Sequence, residues 1–139
     1  MALSQLIYIS RPFGFDEATL NAILFSARHH NKINEITGAL ICREDIFLQM
    51  LEGPDEALTA TYSRIKRDER HINVELLWTD RSDARQFPEW GMRHDPAQSW
   101  LWTPDEVWAG AAQKAPAAEI RTIFARIAGE PYDQSLAVL

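Results

Sequence analysis

A chain of 139 residues, 46% hydrophobic and 24% charged, has room for one ordinary globular domain. Its formal net charge of −6 argues against a non-specific nucleic-acid binder, which needs a surplus of Lys and Arg facing phosphates. The single cysteine, Cys42, excludes an intramolecular disulfide and a thiolate-rich metal site.

The segment Met1–Tyr8 lacks the basic stretch and long apolar run of a secretory signal. No apolar run approaches about 18 residues, so the expectation is a cytoplasmic protein without membrane or nucleic-acid partners. Gln5–Arg11 alternates, with Leu6, Tyr8 and Ser10 on one face and Ile7 and Ile9 on the other, and reads as a strand. Asp16 is a candidate N-cap for a helix carrying Leu20, Ile23, Leu24 and Ala27 and running to about Asn31. Ile36–Arg43 and Ile46–Glu52 are β-rich runs joined by a short polar connector, a hairpin pattern. Gly53-Pro54 ends the third strand, and a helix with Leu58, Thr61, Tyr62 and Ile65 follows. His71–Thr79 reads as a fourth strand with Val74, Leu76 and Trp78 on one side.

The order β-α-β-β-α-β predicts an α+β, ferredoxin-like fold, its antiparallel sheet backed by two helices on one face. The other face needs a cover. Thr103-Pro104-Asp105-Glu106 has the spacing of a capping box with proline at the first helical position. Ile120, Ile123, Phe124 and Ile127 mark a last helix, so two C-terminal helices are expected to cover the sheet or mediate assembly. Residues 1–95 form the expected core and 96–139 a helical extension within the same compact unit.

Conventional catalytic patterns are absent: there is no Gly-rich phosphate loop, His-Glu-x-x-His helix or Gly-x-Ser-x-Gly elbow. His29 and His30 diverge by ~100° on a helix, which argues against a shared metal. Gln49 draws more interest. It shares a strand face with Phe47 and Leu51, and if both faces are covered it is a buried amide. Leaving such a group unsatisfied costs about 1–3 kcal/mol, so it needs a partner. Tyr8 serves if the first and third strands are central neighbours.

The segments Leu6-Ile7-Tyr8-Ile9-Ser10, Asn31 through Ile36-Thr37-Gly38-Ala39-Leu40, Phe47-Leu48-Gln49-Met50-Leu51-Glu52-Gly53-Pro54, Arg64-Ile65, Asp68-Glu69-Arg70-His71 and Phe87-Pro88-Glu89-Trp90-Gly91-Met92 resemble, in order and spacing, BLUF domains over about residues 3–95. The Gln-containing strand followed by Glu-Gly, together with the Arg-His pair, carries the specificity. The surroundings of Asp45-Ile46 and of Trp100 and Trp102 depart from the usual pattern.

The resemblance implies a short, stand-alone blue-light photoreceptor, a signalling protein rather than an enzyme. It implies a non-covalent flavin between the two helices: FAD, with FMN or riboflavin as alternatives. The tyrosine matching Tyr8 hydrogen-bonds the glutamine matching Gln49, which touches the N5/O4 edge of the ring. The residue matching Asn31 holds the O4/N3 edge, and that matching Arg70 lies near the pyrimidine carbonyl. His30, Arg64, Asp68 and His71 match positions around the ring or ribityl chain. Trp90 and Met92 match light-responsive residues on an extra strand near residues 89–93, and Met92 is also placed against the flavin. Signalling would pass through the C-terminal helices to an unknown protein partner or within a homo-oligomer.

Glutamine suits this role because one amide carries both a donor and an acceptor, which rotation or tautomerisation can exchange. Taken singly, each residue has a plainer reading. Tyr8 serves as a structural strand tyrosine, Asn31 as a helix C-terminal residue and Arg64–Arg70 as a solvated helix end. Trp90 and Met92 serve as core, and Cys42 as a small inert hydrophobe. From another class, a small ferredoxin-like enzyme of acylphosphatase or monooxygenase type is the alternative, with Arg11-Pro12-Phe13-Gly14 a faint phosphate loop. A third reading, an RNA-binding sheet, would need the paired surface aromatics and basic balance that this chain lacks.

Overall fold

The computed structural model describes residues 2–14, 16–89 and 91–130. Trp90 and the tail beyond Glu130, both subjects of sequence-based expectations, lie outside them.

β1 (Leu3–Pro12) leads into α1 (Glu17–Asn34), whose N-cap Asp16 accepts the Thr19 N–H at 2.7 Å. The helix runs three residues past the expected end and stops at Glu35, which adopts a left-handed φ of 58°. Its N–H caps the Asn31 carbonyl, so Asn31 lies one turn inside the helix rather than at its terminus. β2 (Thr37–Cys42) and β3 (Phe47–Pro54) form the expected hairpin. α2 (Asp55–Lys66) begins directly after Pro54, and β4 (His71–Ser82) follows.

The sheet order is β4-β1-β3-β2-β5, antiparallel except where β5 (Arg93–Pro96) runs parallel to β2. β1 and β3 are central neighbours, with Tyr8 opposite Gln49. The extra strand expected near residues 89–93 begins at Arg93, so Met92 precedes it, and the part of the expectation that concerns Trp90 lies outside the described residues.

Strand alternation sends two sets of side chains to two cores. Leu6, Tyr8, Phe47, Leu51 and Met92 pack under α1 and α2 with Leu20, Leu24 and Leu58. Ile7, Ile9, Ile41, Leu48 and Met50 face the opposite side. There they meet Ile120, Ile123, Phe124 and Ile127 of the last helix, α5 (Ala117–Ala128). The C-terminal region thus covers the second sheet face, as its periodicity predicts.

Among the described residues it does so with three helices rather than two: α3 (Pro104–Trp108), α4 (Ala111–Lys114) and α5. The capping box at Thr103 forms in full, with Thr103 Oγ1 accepting the Glu106 N–H and Glu106 Oε1 accepting the Thr103 N–H. Gly110, at φ 92°, turns the chain between α3 and α4 in a conformation that favours glycine.

β4 departs from simple alternation. Its pairing with β1 shifts register between Ile7 and Tyr8 and again between Ile9 and Arg11, where Asn73 has a positive φ of 55°. Val74 consequently packs beneath α1 and α2, while Leu77 and Trp78 both turn towards α5. The expected common face of Val74, Leu76 and Trp78 is therefore broken by the bulges. Irregularities of this kind also blunt an exposed sheet edge. No helix among the described residues is long and apolar enough to cross a membrane.

Candidate functional site

Between α1 and α2 a narrow cleft opens onto the central strands. Ile23, Ala27 and Ile65 form apolar walls, and Gln49 and Leu51 form part of its floor. Polar groups converge from four elements or their flanks: His30 and Asn31 from α1, Arg64 from α2, Asp68 and Arg70 from the turn after it, and His71 from β4.

The centre is the Tyr8–Gln49 pair. Tyr8 is fully buried and Gln49 nearly so. The phenol donates to Gln49 Oε1, and Gln49 Nε2 reaches Met92 Sδ at 3.0 Å. The amide therefore lies between a strong donor and a weak thioether acceptor, which holds its NH₂ end loosely. Burial, and behind it the neighbouring Tyr62 and Asp68, pushes the Tyr8 pKa far above the ordinary phenol value and keeps the hydroxyl protonated. Its ring packs near Tyr62 and His71, with centroids at 5.8 and 6.0 Å.

Asn31, 1% exposed, donates its Nδ2 to the Gly91 carbonyl at 2.7 Å. One turn earlier, Arg28 Nε donates to the Met92 carbonyl at 3.2 Å. α1 thus grips the backbone of both residues just before β5. Arg70 is anchored by Asp68, whose Oδ1 accepts from both the backbone N–H and Nε of Arg70 at 2.9 Å. That pairing holds Asp68 below the usual carboxylate range and raises Arg70. His71 lies within 2.8 Å of Ser10 Oγ through Nδ1, and burial lowers its pKa to about 4, so the ring is neutral at pH 7. His30 is also lowered, chiefly by the Arg64 cation across the cleft mouth.

The structure therefore brings Tyr8, His30, Asn31, Gln49, Arg64, Asp68, Arg70, His71 and Met92 to or beside one cleft. Trp90 is outside the described residues. This donor set suits a flat aromatic ring with a polar edge: apolar helix faces for the ring planes, amides where donors and acceptors alternate, and a cation beyond. The described residues contain no cluster of three or more His, Cys, Asp or Glu able to hold a metal.

Two polar arrangements escaped the sequence reading. Cys42 is more than an apolar filler, because its Sγ contacts His94 Nε2 at 2.8 Å across β2 and β5. Burial pushes the thiol up to about 12. The other is Glu52, 1% exposed on the sheet face towards α5. A carboxylate alternating with Leu48 and Met50 in an apolar strand was its available signal, since such groups are rarely buried without partners.

The family model described as "Sensors of blue-light using FAD" matches residues 3–93. The photoactivated adenylate cyclase subunit beta of Euglena gracilis is 37% identical over 92 residues, 63% of this chain and 10% of the cyclase. The chain thus spans about a tenth of that relative's length. The photo-activated structure of BlsA superposes with a TM-score of 0.80 at 23% identity, covering 94% of this chain and 98% of BlsA, a likeness of fold. The dark-state structure of the BLUF protein BlrB gives 0.71 at 30% identity, covering 90% of this chain and 97% of BlrB.

Proposed function

The chain belongs to the BLUF family, the sensors of blue light using FAD, and we propose that it holds its flavin in the cleft between α1 and α2 and reads light through the Tyr8–Gln49–Met92 chain. The observation that carries this reading is the buried Gln49 amide, accepting from Tyr8 and donating to a thioether. When bound, the flavin supplies absorption of blue light and accepts an electron and a proton. Asn31 and Arg70 hold the polar edge, with His30, Arg64, Asp68 and His71 around the ring and its ribityl chain.

Tyr8 is the donor at the centre. Its hydroxyl proton already points at Gln49 Oε1, so a proton leaving Tyr8 has the amide as its first acceptor. Turning or tautomerising the amide exchanges the group that faces the ring edge, and little opposes this at Nε2 because a thioether is a weak acceptor. The Met92 contact changes with it. Gly91 and Met92 are tied to α1 by Asn31 and Arg28, so the rearrangement strains the segment entering β5. Trp90 belongs to the same segment in sequence and is proposed to respond with Met92.

Residues 96–139 are proposed as an output extension that folds together with the 1–95 core, passing the signal to a downstream protein or within a homo-oligomer. Phe13, Phe25, Ile33 and Trp108 supply exposed apolar surface for such contacts. The proposed location is the cytoplasm, where the free thiol of Cys42 stays reduced.

One purified sample tests the core of this reading. Denaturing and filtering it should release about one flavin per chain, with chromatography separating FAD from FMN and riboflavin. Blue light should reversibly red-shift the absorption of the intact protein. A colourless protein that also refuses added flavin would overturn the proposal.

A further inference from the structure

β4 and β5 lie at opposite edges of the sheet, so the segment joining them must cross a sheet face. It crosses on the α5 side, where Phe87 is buried and meets Phe124 edge-on at 6.4 Å. Five residues later Met92 is buried in the other core, against Gln49. One short segment therefore has a side chain in each of the two cores.

Its crossing point is fixed by Glu52. This carboxylate accepts the backbone N–H groups of Gln86 at 2.8 Å and Phe87 at 2.5 Å. It also accepts from Gln5 Nε2 at 3.0 Å and Thr37 Oγ1 at 3.3 Å. Arg85 closes the arrangement, donating to Thr37 Oγ1 at 2.8 Å, to the Glu52 carbonyl at 3.1 Å and to the Glu35 carbonyl at 2.8 Å. Glu35 is the residue that caps the Asn31 carbonyl. The segment is thus tied to the C-terminal end of α1 at both ends: through Glu35 and Arg85 at its start, and through Asn31 and Gly91 at its finish.

We propose that Glu52 is a positioning residue for signal output, holding Phe87 as the point where a change at Met92 is handed to Phe124 and α5. A segment clamped at Phe87 and displaced at Met92 can move only by levering about the clamp, so the disturbance arrives at Phe87 instead of dissipating along a loose loop. Both bonds to the clamp are charge-assisted, the strong class, and so suited to act as a pivot. The inference rests on the light-sensing reading, but its failure is separable from the failure of that reading, because the spectral shift and the output are measured independently.

The test is hydrogen exchange of the flavin-loaded protein in darkness and under blue light, alongside the absorption spectrum. Glu52→Gln replaces one acceptor with an NH₂ group that cannot receive a backbone N–H. The expected result is a normal red shift, exchange faster by roughly ten-fold or more in the dark at whichever of Gln86 and Phe87 loses its acceptor, and loss of most of the light-dependent change in α5. Gln5→Leu, which removes a Glu52 contact without touching the segment, should keep the α5 response whatever its effect on stability. If Glu52→Gln fails to fold, Phe87→Leu, which keeps the clamp but removes the ring contact, should lose the α5 response in its place. An α5 response equal to the parent's in Glu52→Gln, or in Phe87→Leu where Glu52→Gln does not fold, overturns the proposal, as does a parent that red-shifts without any change in α5. An absent red shift in the parent would instead overturn the sensor reading.

Discussion

Tyr8 and Gln49 face each other across β1 and β3, buried beneath two helices, and each is the other's hydrogen-bond partner. Tyr8→Phe removes the hydroxyl and leaves the ring in place, so the expected cost is about 1 kcal/mol and flavin should remain bound. The reversible red shift should disappear, because no group is left to supply the proton. Gln49→Leu should abolish it too, having neither donor nor acceptor to exchange. Difference spectra under blue light, followed through dark recovery, check both variants, and a Tyr8→Phe protein that cycles like the parent would refute the assigned role. This pair was legible in sequence because alternation places Gln49 on one strand face with Phe47 and Leu51, and the family resemblance joins it to Tyr8. Met92 was legible through the resemblance, but its contact with Gln49 was not, because it comes from outside any regular element, where no periodicity specifies direction. Glu52 was passed over because its sequence signal, a carboxylate in a buried strand, says that partners exist without naming them.

At the level of elements, the helices and central strands follow from periodicity and caps, and the differences fall where local rules meet tertiary demands. α1 continues to Asn34 because the left-handed turn that ends it falls at Glu35, while the Asn31 side chain binds the Gly91 carbonyl. β4 switches faces at bulges that a period-two pattern cannot anticipate. β5 is four residues long and exists by pairing with β2, so its limits are set by a partner distant in sequence. Met92, immediately before that strand, is the element-scale test of signal relay. Met92→Ala removes the thioether from Gln49 but leaves the backbone bonds from Asn31 and Arg28 available. The expected outcome is a retained spectral shift with weaker light-dependent hydrogen exchange across residues 97–128. An undiminished exchange response would remove Met92 from the relay.

For the whole molecule the open matter is whether the C-terminal region is a separable module or part of one folding unit, and packing favours the second. The inner faces of β1, β2 and β3 supply Ile7, Ile9, Ile41, Leu48 and Met50 to a core whose other half is α5. Without α5 that apolar face would meet water, at a cost of about 25 cal/mol for each Å² exposed. Phe124 is fully buried at the centre of this contact, against Phe87. Phe124→Ala should therefore destabilise the protein by about 3–5 kcal/mol, the range for truncating a buried aromatic side chain. The side chain lies on the opposite sheet face from Tyr8 and Gln49, so the red shift of the folded variant should be unchanged. Two probes distinguish the alternatives in a urea titration. Flavin absorption reports the cleft side, while tryptophan fluorescence is weighted towards Trp100, Trp102 and Trp108 in the C-terminal region. If the chain is one cooperative unit, both transitions coincide in the parent and move together to lower urea in Phe124→Ala. A tryptophan transition that shifts alone, with the flavin signal staying where the parent has it, would establish instead that the sensor core holds its structure without its cover.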